Sequence, residues 1–218
     1  MGYGAMLTDA NGVPFYIQDT MPLSLISVNT YANNSEPDIH PNDGAVRFVF
    51  CNSDNVDTNF YYFYKASTGS WAVNGLGPSG GVYRVYIFGY QFQPVPAYGI
   101  QINDAQGRCI LTNETKVLRG VETIGTPGAD SAGINLNVTI PGRYAVAPEM
   151  LGYISGVVYQ GSQPYPYLNQ IFTSAYYSGG NTVIKAVGRG ETPGSTGASN
   201  ITTTNYRKAI RAINVDRY

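Results

Sequence analysis

The chain has 218 residues and a net charge of −1, from 13 basic and 14 acidic side chains. Charged residues are 12% of it, against about 25% in ordinary globular proteins, while 43% is hydrophobic and 19 residues are tyrosine. That balance argues against a nucleic-acid surface, which needs clustered basic charge, and favours a neutral surface that packs against other protein.

Residues 3–19 read YGAMLTDANGVPFYIQD: an extended run, a turn and a second extended run. Asn11-Gly12 is the preferred pair for a type I′ hairpin turn, whose two central residues take positive φ. This start has neither a basic segment nor an apolar core of the kind a secretory signal needs, and Met6 stands where a myristoylation signal requires Ser or Thr. No apolar run approaches the ~18 residues of a membrane-spanning helix. The expectation is a protein made in the cytoplasm, without membrane insertion.

Short β-branched and aromatic runs follow: LSLISVNTY, AVRFVFCN, NFYYFYKA, SWAVNG and GVYRVYIFGYQFQ, each bounded by Asn, Asp, Gly, Pro or Ser. That spacing predicts strands of a sandwich or barrel. Within residues 82–92, Val85 and Ile87 fall on one strand face, and Tyr86, Phe88, Tyr90 and Phe92 on the other. A strand apolar on both faces must be covered on both. The cover could be the other half of the chain or a separate subunit, so these four aromatics are candidate partner-binding residues.

Pro94 and Pro96 precede a second Tyr-Gly, and residues 98–114, YGIQINDAQGRCILTNE, repeat the opening at an offset of 95. Tyr3/Tyr98, Gly4/Gly99, Asp9/Asp104, Ala10/Ala105 and Gly12/Gly107 are identical pairs, as are Thr20/Thr115 and Leu23/Leu118. With Gln106 in place of Asn11, the second turn is expected to be longer, with Gly107 left-handed. The repeat divides the chain into two tandem β-sandwich-like domains related by duplication, 1–97 and 98–218.

The second half offers INLNVTI, RYAVA, GYISGVVYQG, NQIFTSAYY, NTVIKAV and YRKAIRAINV as strands. TNYRKAIRAI also has helical spacing and is taken as strand. Residues 161–170, GSQPYPYLNQ, read as a Tyr-Pro loop offering Tyr165 and Tyr167 to a partner. Residues 188–205 read as a long polar loop, because their small residues cannot build a core. The basic residues Arg207, Lys208, Arg211 and Arg217 read as a solvated strand edge.

No motif carries catalysis. His40, the only histidine, lies in a turn-rich stretch, and triad or zinc chemistry would rest on it alone. Neither GRGETPG nor GLGPSGG has the spacing of a phosphate-binding loop. Asp38, Asp43, Asp54, Asp57, Asp130 and Glu149 could supply paired carboxylates, but most sit beside turn formers. CNSDNVDTN lacks the alternation of a calcium loop. Cys51 and Cys109 fit no metal motif and are expected to be free thiols. Tyr61, Tyr62, Phe63 and Tyr64 with Trp71 could be core or a platform for sugar rings. The expectation is a non-enzymatic protein without cofactor or metal.

The opening MGYGAMLTDANGVPFYIQDT resembles the start of uncharacterised tailed-bacteriophage virion proteins, in which a Tyr-Gly strand, an Asn/Asp-x-x-Gly turn and a second strand begin a small β domain. The resemblance covers about twenty residues, or about forty with the repeat. It implies a structural component of a phage particle, associated with the tail tip or fibres, with other virion proteins as partners in a homo- or hetero-oligomer. Two alternatives stay open: a module binding a host surface glycan through Tyr-rich loops, and a capsid-decorating protein.

Overall fold

A computed structural model describes residues 21–190 and 193–218. The first copy of the Tyr-Gly hairpin lies outside the described residues. The chain is all-β. Its strands are β1 (Leu23–Ala32), β2 (Asp38–Pro41), β3 (Arg47–Ser53), β4 (Asn59–Lys65), β5 (Ser70–Leu76) and β6 (Val82–Tyr90). The hairpin β7 (Gln101–Asn103) and β8 (Cys109–Thr112) and the short β9 (Glu122–Ile124) follow. Then come β10 (Asn137–Pro141), β11 (Tyr144–Val146), β12 (Met150–Gln160), β13 (Gln163–Ser178), β14 (Asn181–Gly188), β15 (Ser199–Asn205) and β16 (Ile210–Asn214). The described helical segments are a 3-10 turn at Gly133–Asn135 and a four-residue helix at Pro193–Thr196.

Eleven strands join in one sheet, and β2-β5-β4 form a three-stranded sheet packed over part of it. Strand β6 lies between β1 and β3, with Phe88 opposite both Leu25 and Phe48. The other edge of β3 meets β11 at Cys51–Val146 and β13 at Ser53–Tyr176. The alternation of β3 and β6 sends side chains into two separate cores. Val49, Cys51, Val85 and Ile87 enter the larger one, with Phe60 and Val73 from the three-stranded sheet and Leu151, Ile184 and Ile210 from later strands. Phe50, Tyr86 and Phe88 enter the other, under Ala145, Ile213 and Val215. Full burial of each large apolar side chain contributes about 1.5–3 kcal/mol. Both cores and the main sheet draw on residues from either side of residue 97.

The second Tyr-Gly hairpin has the expected turn. Gly107 takes φ +79, and Asp104 Oδ1 accepts from the backbone N–H groups of Gln106 (3.0 Å) and Arg108 (2.8 Å). The Asp-Ala-x-Gly pattern is a turn device at this copy. Cys51 and Cys109 are both free and buried.

Two loop expectations are corrected. Residues 161–170 are not a loop: after a turn at Gly161 (φ +65), Gln163 begins the sixteen-residue β13, which pairs back on β12 from Gln160 to Met150. Pro164 and Pro166, two apart, leave the same strand edge without donors, and the neighbour on the far edge of β13, β14, begins only at Ile171. Residues 188–205 are likewise only partly loop, because 199–205 form β15 on the other side of β12. Glycines admit it. A Cβ at Gly152 would collide with the Thr204 carbonyl, and one at Gly156 would meet Ser199 O at 2.8 Å and Ile201 Cδ1 at 2.6 Å.

Candidate interaction surface

The distal part of β12, the first half of β13 and β15 form a three-stranded blade with exposed side chains on each of its faces. Residues 150–184 and 193–206 contain no Asp, Glu, Lys, Arg or His, so the blade is uncharged. Tyr159 (55% exposed) and Leu168 (58%) lie on one face with Pro164 and Pro166; Tyr165 (49%) and Ile201 lie on the other. Among exposed sheets an alternating polar face is the usual arrangement. Here apolar and aromatic side chains stand on both sides.

The six aromatic candidates separate by place. Tyr86 and Phe88 are internal, covered by this chain's own C-terminal strand; Phe88 packs edge-on against Phe50 (centroids 6.0 Å) and Tyr218 (4.9 Å). The cover for that part of β6 is therefore intramolecular. Tyr90 (57% exposed) and Phe92 (45%) run past the covered part, and Phe92 lies under the Arg108 guanidinium at 4.2 Å. Tyr165 is exposed in the blade. Tyr167, on the same face but nearer the body, is 9% exposed.

The tyrosine run of β4 is divided by its alternation. Tyr61 and Phe63 stack at 4.9 Å, and Tyr61 turns toward Phe172 and the Arg189 guanidinium. On the opposite face Tyr62 stacks on Trp71 (4.8 Å, 23°), Tyr64 meets Trp71 edge-on and His40 lies 6.3 Å from it. His40 is a strand residue of β2, opposite Trp71, rather than a loop residue. Its Nδ1 lies 2.9 Å from the Pro41 carbonyl and its Nε2 lies 2.8 Å from the Tyr62 hydroxyl. A neutral imidazole protonated on Nδ1 satisfies both, donating to the carbonyl and accepting from the hydroxyl. Burial lowers the His40 pKa below its ordinary value and raises that of Tyr62 to about 12. These rings satisfy one another, and Tyr64 is the exposed member of the group.

Every carboxylate singled out from the sequence has a cationic partner. Asp54 bridges Arg84 and Arg143, both at 2.8 Å, and joins β6 to the start of β11. Burial pushes its carboxyl up, but the two guanidinium groups more than offset that and hold it below the usual range. Asp38 pairs with Lys65, Asp43 with Arg47, Asp57 with Lys185, Asp130 with Arg207 and Glu149 with Lys208. The last two pairs take up half of the C-terminal basic cluster. Among the described residues no three His, Cys, Asp or Glu side chains converge as a metal site, and no helix is long and apolar enough to cross a membrane. A cleft of about 410 Å³ beside the second hairpin is lined by Met21, Asp104, Ala105, Gln106, Arg108 and Ile110, and its two charges pair with each other.

Sequence reasoning finds the central strand β12 in GYISGVVYQG but not its two neighbours in the blade, whose prolines and small residues give 161–170 and 188–205 the look of loops. No protein-family model matches the chain, and neither the curated proteins nor the solved structures yield a match.

Proposed function

We propose that this chain is a non-enzymatic structural component of a tailed-bacteriophage particle, placed in the tail as a tip, fibre-attachment or accessory protein and acting through protein–protein contacts. The observation that carries the contact role is the uncharged blade, with Tyr159, Tyr165 and Leu168 exposed on its two faces. Aromatic and aliphatic side chains without charge are what the buried centre of a protein interface requires. The commitment of all six candidate carboxylates to ion pairs supports a non-enzymatic reading. The phage assignment rests on the resemblance of the opening twenty residues, and it places the protein in the virion after synthesis in the host cytoplasm. Mass spectrometry of purified particles from a phage encoding this chain tests it. Recovery in stoichiometric amount with tail proteins is expected; presence in the lysate but absence from particles would overturn it.

A second reading, binding of a host surface glycan, is favoured by the exposure of Tyr165 in the blade and of Tyr64 beside Trp71. Tyr165→Ala and Tyr64→Ala separate the two. Normal particles that no longer adsorb to cells would support glycan binding, and unchanged adsorption would remove it.

A further inference from the structure

The two edges of the blade are unlike. On the β13 side, Pro164 and Pro166 remove donors from the outer edge, which discourages another strand from pairing there. On the β15 side no proline stands, and the one irregularity is a bulge at its start, where Ser199–Thr202 spans one residue more than Val157–Ser155 opposite. Ile201-Thr202-Thr203-Thr204 is β-branched throughout, has no proline and no charge, and pairs only with β12 among the described residues. Its limits are set by Asn200, in the left-handed region at φ +52, and by Asn205, whose side chain bonds Ala132 O and the Ile134 N–H. Between these, a row of backbone donors and acceptors faces outward.

We infer that β15 is a homodimerisation strand, pairing antiparallel with β15 of a second copy of this chain. Three features select this occupant. A two-fold axis through an antiparallel pair of identical strands matches donors to acceptors without requiring any second sequence. The surface beside the edge is neutral, so it meets its own copy without like-charge repulsion, whereas a charged partner would lose hydration and gain no counter-charge. Ile201 is exposed on the same face as Tyr165, so pairing joins the two three-stranded blades into one six-stranded surface whose apolar face continues across the axis. The prolines on the opposite edge close the assembly at two copies. A strand blade open on both edges would grow into a filament. The shared edge is short, so the contact is weak alone, with a dissociation constant on the order of micromolar. The inference does not depend on the phage assignment.

Sedimentation velocity of the full chain from ~1 to ~300 μM, bracketing that constant, tests it. A monomer–dimer equilibrium is expected, and the double variant Ile201→Lys, Thr203→Lys should weaken it at least about tenfold by setting like charges opposite one another. Thr202→Cys and Thr203→Cys, made separately, provide a second readout because the native cysteines are buried. One of the two should give an oxidised covalent dimer, and Leu168→Cys should not. A monomer throughout the concentration range, assembly beyond two copies, a dimer indifferent to the lysines, or cross-linking through Leu168 instead would each overturn the inference. If the lysine variant fails to fold, the cysteine pair decides.

Discussion

Phe88 and Tyr165 are both aromatic residues on strands apolar on two faces, yet Phe88 is fully buried and Tyr165 is half exposed. The difference lies in what covers the strand. In the body, β6 has neighbours on both edges and a core on each face, so its backbone and side chains are satisfied within the chain. In the blade, three strands of similar composition extend beyond those layers, and Tyr165, Leu168 and Ile201 stand exposed while Tyr167, nearer the body, is buried. Alternation and apolar content define which residues share a face. They do not define whether another layer lies over it.

The largest expected effect separates the two regions by stability. Phe88→Ala opens a cavity between Phe50 and Tyr218 and should cost about 3–5 kcal/mol in urea denaturation. Leu168→Ser in the blade should change stability by no more than about 0.5 kcal/mol. Equal losses would mean that the blade is part of the cooperative core, and the comparison would fail.

Next is acid sensitivity, which belongs to the body. Asp54 has a folded pKa below its unfolded value, so its ion pairs stabilise the fold above the unfolded pKa, and the contribution is lost as pH falls through the folded one. Asp54→Asn should cost about 1 kcal/mol at neutral pH, the upper end for partly exposed pairs, and flatten the stability profile below about pH 4. An unchanged acid limb in that variant would assign the sensitivity elsewhere.

A smaller effect is expected at His40. Its folded pKa is also lowered, so the unfolded chain binds more protons, and stability should decline as pH falls below the ordinary value of 6.5. His40→Phe should remove that part of the slope between neutral pH and about pH 5. Persistence of the slope would contradict the neutral, doubly bonded imidazole described above.

The smallest expected effect is on the blade itself. With no charged side chain in it, self-association should change less than about twofold between ~0.05 and ~0.5 M salt. A steep salt dependence would assign the contact to a charged part of the body.

Much of the body was legible from sequence. The runs containing Phe50, Phe60, Trp71 and Val85 became β3, β4, β5 and β6, and the turn at Gly107 followed from its missing Asn. The two-sided covering required of β6 was also readable, but not its source, because Ile213 and Val215 meet Phe88 through the fold rather than through any local pattern. The blade was hidden by its own composition. Pro164 and Pro166 look like loop residues until they lie on an unpaired strand edge, and the small residues before Ile201 hide the strand that packs against Gly156. His40 stands among turn formers in the sequence, whereas its place opposite Trp71 depends on sheet register.

Hydrogen exchange of the full chain at ~1 and ~300 μM tests most directly whether the body is complete while the blade is completed by another copy. Amides of residues 201–204 should gain protection at the higher concentration, with those of β3 and β6 unchanged. Identical exchange of 201–204 at both concentrations would contradict the account.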